Sequence, residues 1–383
     1  MSGMKKINLF VGSDIVAHRE MNPVVDHMIS RGIEPVLYYP VHKPSSNPNA
    51  SQQMFKDYAF FERVILQEAV YPFLEEHPAP HAPFVTPNQV AGLNNLQAPV
   101  AVENVNDPAF FEKIAADPSV VGSISLRCTQ MFGLAATNAL KNGHRFLLNV
   151  HSGLLPEFRG LYSTPRAIAE DLRSPNTDER GEFGCTLHHI DPYIPANANN
   201  PYQGIDTGNI VDLRSRPIEP GRTVYATNID LSAMGASAVT KVIDRYMSGE
   251  SLRGYPQENS KGRYFSYASA SELQEWDRLG LKMYDASEVV RTLISTFSVP
   301  GTDHAEELDR VIRKAITDYQ STQHKVATPA VYNGGSNSNT DPVISQSAFG
   351  KAANGSTAPQ RQTARRRDAS SLGAGFTARP GVA

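Results

Sequence analysis

Cysteine is nearly absent from this 383-residue chain, which carries only Cys128 and Cys185. Two thiols so far apart build neither a disulfide framework nor a thiolate metal site, and they fit a reducing compartment. Both fall in stretches that read as buried strands. Long apolar runs are missing as well. Nothing approaches the roughly 20 residues that span a bilayer, so no membrane partner is expected. Nor is there an excess of one charge: 36 Lys+Arg stand against 39 Asp+Glu, for a net charge of −3. That balance argues against a nucleic-acid grip spread over the surface. The first apolar run, Ile7 to Val11, is cut off by Gly12-Ser13-Asp14 and is too short for a secretory signal. A cytoplasmic protein is the expectation, and its length and apolar content suit one large domain with appendages.

The pattern of what is present predicts alternating strands and helices. Ile7–Val11 reads as a strand, Ile15 to Ser30 as a helix entered at Asp14 and closed by Gly32, and Val36 to Tyr39 as a second strand. Val41 to Ser51 reads as a loop, Ala59 to Leu74 as a helix, and Glu75 to Pro83 as a proline-broken connection. Further helices are expected over Asp107–Ala116, Leu134–Leu140, Pro165–Leu172 and Asn228–Met247. Strands are expected over Val120–Leu126, Phe146–His151, Cys185–Ile190 and Ile210–Ser215. This rhythm predicts an α/β fold, a Rossmann-like and mostly parallel sheet with flanking helices.

A small α+β extension is expected after it. Arg263 to Tyr267 reads as extended, followed by helices at Ala270–Leu279, Ser287–Phe297 and Asp303–Gln320. From about residue 321, Ser, Asn, Gly, Ala, Gln and Thr dominate, a composition that cannot bury enough surface to offset its ordering entropy. The expected division is a main domain over 4–248, an extension over 249–320 and a disordered tail over 321–383. The Arg365-Arg366-Arg367 run in that tail reads as solvated charge.

The chemistry is concentrated at Asn149-Val150-His151. Residues two apart on a strand share a face, so an amide donor and an imidazole leave one strand end together. With a carboxylate from elsewhere, such a group suits acyl transfer: the amide steadies an oxyanion, the imidazole handles a proton and the carboxylate orients the imidazole. Leu154-Leu155-Pro156-Glu157-Phe158-Arg159-Gly160 follows, and later Gly204-Ile205-Asp206-Thr207-Gly208. The adjacent His188 and His189 face opposite ways on their strand, which argues against a metal site there.

Asn149, His151, the Leu-Pro…Arg-Gly loop and the later Asp206-Thr207-Gly208 together resemble the signature of formyltransferases that take their one-carbon unit from 10-formyltetrahydrofolate. The resemblance covers roughly residues 4 to 245 and runs on more weakly to about 297. It implies Asn149, His151 and Asp206 as the catalytic group, with no metal. It places a folate slot beside them, lined on one side by Gln130-Met131-Phe132 and on the other by the loop of Gly204 and Ile205. A core role for Met131 and Phe132 is the competing reading. Ser152, Gly153 and Arg159 are expected to meet substrate, Arg159 either touching an anionic group or pairing with a carboxylate. This chain departs from the commonest family form in two places. Ser152-Gly153 stands where many members have Pro-Ser, and Pro192 to Gln203 is inserted ahead of Asp206.

Gly12-Ser13-Asp14-Ile15 is poor at cradling phosphate, unlike the loop of purine-pathway members, and no basic RNA-binding end is visible. The expected acceptor is therefore a primary amine of a small molecule, such as a nucleotide-linked amino sugar, with no nucleic acid and with a homodimer left open. Formyltetrahydrofolate hydrolysis, methionyl-tRNA formylation and a catalytically silent folate-binding scaffold remain as alternatives.

Overall fold

A computed structural model describes residues 4–174, 180–194 and 204–327. The first strand, β1 (Lys5–Val11), is buried on both faces from Ile7 onward, as the uninterrupted apolar run requires of a central parallel strand. The chain then enters α1 (Ile15–Ser30), where the Asp14 carboxylate caps the helix by accepting from the Val16 and Ala17 N–H groups at 3.0 and 2.9 Å. Helix α1 ends at Gly32, whose φ of 70° is the left-handed exit that glycine makes without strain. Next come β2 (Ile33–Pro40), β3 (Val100–Val102), β4 (Val120–Leu126), β5 (Leu147–His151), the two-residue β6 (Arg159–Gly160), β7 (Glu182–His189), β8 (Ile210–Pro217) and β9 (Tyr264–Phe265).

Seven of these strands form one sheet in the order β3-β2-β1-β4-β5-β7-β8. The first five run parallel, while β5–β7 and β7–β8 pair antiparallel. The Rossmann-like, mostly parallel sheet with flanking helices is thus observed. The strand order reverses between β1 and β4, so a crevice opens beyond their carboxyl ends. The antiparallel junction puts Asn149 directly opposite His188 and His151 opposite Thr186. Strands β6 and β9 pair separately and tie Arg159–Gly160 to Tyr264–Phe265.

The remaining helices are α2 (Gln53–Ala59), α3 (Tyr71–Glu76), α4 (Pro87–Leu93), α5 (Pro108–Ala115), α6 (Leu134–Gly143), α7 (Ser163–Arg173), α8 (Val224–Met247), α9 (Ala270–Arg278), α10 (Ala286–Phe297) and α11 (Asp303–Ala327). Three cores result. Helices α1 and α8 cover one face of the sheet through Met21, Val25, Val239 and Val242. Helices α5 and α6 cover the other through Phe111, Ile114 and Leu140. The third core joins Phe55, Phe61 and Leu66 to Trp276, Leu293 and Phe297, so the segment expected as an extension shares its apolar interior with the part of the chain before it.

Several expectations shift. The helix expected over Ala59–Leu74 begins at Gln53 and runs to Glu76, and two π-helical turns, Phe60–Val64 and Leu66–Val70, interrupt its α geometry. Helix α4, with its Thr86/Gln89 capping box, and the short β3 lie where no element was expected. Cys128 is not in a strand: it follows β4 in the turn beyond Leu126. Helix α11 runs on to Ala327, and the rest of the expected tail lies outside the described residues, as do residues 195–203 of the expected insertion.

Candidate active site

The carboxyl end of β5 carries Asn149 and His151, and the β7–β8 connection brings Asp206 to them. Asp206 occupies a left-handed conformation, φ 53°, between Gly204 at φ 75° and the tightly packed Gly208. For a non-glycine residue that geometry costs about 1–2 kcal/mol, and strain of this kind concentrates at functional sites. The surroundings enforce it. A Cβ on Gly204 would meet the Pro192 carbonyl oxygen at 2.1 Å, and one on Gly208 the His189 carbonyl oxygen at 1.9 Å. Gln257 Nε2 donates to the backbone carbonyls of both Asp206 and Gly208 at 2.8 Å.

So held, the Asp206 carboxylate lies between two imidazoles. Its Oδ2 is 3.4 Å from His151 Nδ1 and accepts the Gly160 N–H at 2.8 Å, while its Oδ1 is 3.4 Å from His188 Nε2. Burial works against ionisation here. A proton on His151, the contact with His188 and the Gly160 N–H outweigh it, and they hold the Asp206 carboxyl well below the usual carboxylate range.

Each ring is fixed from its far side. His151 Nε2 is 2.6 Å from the Phe158 carbonyl oxygen. A carbonyl can only accept, so Nε2 carries the hydrogen and Nδ1 turns its lone pair toward Asp206. Burial pushes the His151 pKa below its ordinary value, against the pull of Asp206, so the ring is neutral near pH 7. A proton arriving at Nδ1 then meets a carboxylate that stabilises it. His188 Nδ1 lies 2.8 Å from the His189 carbonyl oxygen, so its Nε2 lone pair receives Asn149 Nδ2 at 3.2 Å. One Asn149 N–H is engaged there and the amide has a second.

Gly153 serves this arrangement by close approach. Its φ is ordinary, but a Cβ would stand 2.7 Å from His151 Nε2 and 2.8 Å from the Phe158 carbonyl oxygen. The Leu155–Pro156 peptide in the following loop is cis.

No family model matches the chain. A methionyl-tRNA formyltransferase of Aromatoleum aromaticum is 30% identical over 173 residues, which cover 44% of this chain and 46% of the relative. A methionyl-tRNA formyltransferase of Ruegeria pomeroyi is 27% identical over 238 residues, 62% of this chain and 68% of the relative. The chain is formyltransferase-like. It spans about half the length of the first curated relatives it matches, 46%, 35% and 57%. Among solved structures, a sugar N-formyltransferase from Shewanella sp. aligns over 79% of this chain and 91% of its own, at 14% identity and a TM-score of 0.42.

Against the formyltransferase expectation, the structure gathers Asn149, His151 and Asp206 around His188. Met131 is 45% exposed, which removes it from the core, whereas Phe132 is buried against Phe10 at a ring-centroid distance of 5.1 Å. Gln130 is a clasp: its amide donates to the Val41, Val102 and Glu103 carbonyls and accepts from the Val105 N–H. Partly exposed Tyr193 donates its N–H to the Phe132 carbonyl at 2.7 Å. A recess of about 490 Å³ lined by Lys141, Arg145, Phe146, Leu147 and Arg253 lies toward the other end of β5 and holds none of the catalytic candidates.

Arg159 requires a correction. Expected either to touch an anionic substrate group or to pair with a carboxylate, it is fully buried, and its guanidinium donates to Gln257 Oε1 and Asn259 Oδ1, each at 2.7 Å. Through Gln257 it braces the Asp206 turn from behind. Ser152 is partly buried, and its hydroxyl accepts a short hydrogen bond from Arg127 Nη1. The sequence reading missed His188, Gln257 and Arg127. The His188-His189 doublet was visible, but its meaning depends on the antiparallel register with β5, which no local pattern reveals.

Proposed function

We propose that this protein transfers a formyl group from 10-formyltetrahydrofolate to a primary amine of a small molecule, with nucleotide-linked amino sugars as the first class to test. The observation that carries this reading is the Asp206 carboxylate held between His151 and His188, with Asn149 on the same cluster. Met131, Tyr193 and Tyr264 are partly exposed, and such side chains suit a flat aromatic donor. The bound donor supplies the formyl carbon and the leaving nitrogen.

The chain's own residues supply the rest. The free Asn149 N–H is available to a developing oxyanion, and a donor so placed is typically worth about 3 kcal/mol. His151 accepts a proton from the attacking amine at Nδ1, directly or through water, a contribution on the order of 10²–10⁴ in rate. Asp206 stabilises the resulting imidazolium and keeps the ring oriented. Gly160 fixes the carboxylate so that it does not turn toward the amine.

A second reading, in which the acceptor is an aminoacyl-tRNA, is favoured by the names of the curated relatives. One assay separates the two: tetrahydrofolate release from 10-formyltetrahydrofolate, with amino-sugar nucleotides, simple amines or methionyl-tRNA supplied in turn. Release that requires an amino-sugar nucleotide or simple amine, and is lost in His151→Ala, supports the proposal. Release that requires methionyl-tRNA supports the second reading. Release with no acceptor marks a hydrolase, and folate binding with no release under any condition marks a silent scaffold.

A further inference from the structure

The second unusual backbone near the site is Arg127, the residue that follows β4. It is left-handed, φ 55°, and its carbonyl oxygen lies so close to the turn after β1 that a Cβ on Gly12 would stand 2.5 Å away. Its guanidinium reaches three separate segments of the chain. Nε donates to both Asp14 oxygens at 3.0 and 3.2 Å, Nη2 to Glu62 Oε1 at 2.9 Å, and Nη1 to Ser152 Oγ. The cluster is enclosed: the Arg127, Asp14 and Glu62 side chains are 17%, 10% and 15% exposed.

Each carboxylate is itself anchored. Asp14 caps α1, so its Oδ1 already holds two helix N–H groups. Glu62 stands in the π-helical turn Phe60–Val64, whose Phe60 ring stacks on Tyr319 of α11 at 4.0 Å and whose Phe61 packs on Tyr284 at 4.3 Å. A guanidinium so seated has one direction left in which to act, through Nη1 onto Ser152. Ser152 separates His151 from Gly153, and Gly153 packs against the His151 ring.

We propose that Arg127 is a positioning residue: seated on Asp14 and Glu62, it holds Ser152 and so fixes the turn that aims His151 at Asp206. The functional consequence rests on the formyl-transfer reading, whereas the positioning itself is observable without that reaction. Lysine cannot replace the fork, because one ammonium cannot meet two carboxylates and a hydroxyl in these directions.

The test is ¹⁵N NMR of the full chain with labelled histidine, recorded for wild type, Arg127→Lys and Ser152→Ala, with thermal unfolding measured in parallel. Arg127→Lys keeps the positive charge, and Ser152→Ala leaves the ion pairs intact and removes only the link. In both folded variants the single Nε2–H tautomer of His151 gives way to a mixture. With donor and a working acceptor, kcat falls about 10- to 100-fold, while the donor dissociation constant changes by less than about two-fold. An unchanged His151 signal in both folded variants overturns the proposal. Where Arg127→Lys does not fold, Ser152→Ala decides. A shifted tautomer with no transfer even by wild type keeps the positioning role and removes the formyl-transfer reading. Wild-type transfer matched by both variants does the reverse.

Discussion

Two charged clusters stand at two different ends of the same sheet logic. At the parallel switch point between β1 and β4, Arg127 meets Asp14 and Glu62 at 2.9–3.2 Å. At the antiparallel junction of β5 and β7, Asp206 meets His151 and His188, each at 3.4 Å. The first pairs a permanently charged fork with carboxylates that are themselves anchored, so it holds geometry. The second sets a carboxylate between two imidazoles at longer distance, and burial and that carboxylate pull the His151 pKa in opposite directions. Both are framed by a left-handed non-glycine residue, Arg127 in one and Asp206 in the other. A buried ion cluster is thus not by itself a sign of chemistry. Burial raises the Glu62 pKa to about 7 in the supporting cluster, and it is the imidazole partners and the slack in the hydrogen bonding that set the proposed reactive cluster apart.

The sharpest way to break this comparison is to remove members of the junction cluster. His151→Ala or Asp206→Asn should lower formyl transfer by about 10²–10⁴, and Asn149→Ala by about 10²–10³, measured as rates with donor and acceptor saturating. Comparable transfer in any of the three would mean that its residue is a spectator. Next in size is Gly153→Ala, which drives a methyl to 2.7 Å from His151 Nε2 and to 2.8 Å from a backbone carbonyl. It should destabilise the fold by about 1–3 kcal/mol, read from denaturant midpoints, and also depress transfer. Arg159→Ala should cost about 1–3 kcal/mol by leaving the partly buried Gln257 Oε1 without its donors. Because Arg159 faces inward, the salt dependence of acceptor binding should be unchanged. A flattened salt dependence would restore Arg159 as an anion contact.

The smallest effect is a shift in pH. Burial lowers the His151 pKa below its usual 6.5, with Asp206 opposing. The free base therefore persists as pH falls through 6.5, and the acid limb of the transfer profile should lie below that value. Removing the negative charge in Asp206→Asn takes away the opposing pull, so whatever activity remains should have its acid limb moved further down. An upward move would place the proton elsewhere.

Much of this was legible in the residues. The run Phe146–Leu148 followed by Asn149 and His151 announces a buried strand with a polar exit, and the fold class follows from the strand–helix rhythm around it. What local pattern could not give was partnership over distance. His188 acquires its role only through pairing across from Asn149 in an antiparallel register. Arg159 looks like a surface cation until Gln257 and Asn259, nearly a hundred positions on, take its hydrogen bonds. The π-helical turns that carry Glu62 have no signature in a stretch whose apolar spacing reads as a plain helix. β3 is three residues long and lies at the sheet edge, too short for any period to register.

The central proposed role is that of Asp206, in the reaction and not in binding or folding. Single-turnover formyl transfer from prebound 10-formyltetrahydrofolate, in wild type and Asp206→Asn at matched donor occupancy, tests it directly. In Asp206→Asn, donor affinity should be preserved to within about three-fold while the transfer rate falls by at least about 100-fold. Equal single-turnover rates in the two proteins, with occupancy matched, would contradict it.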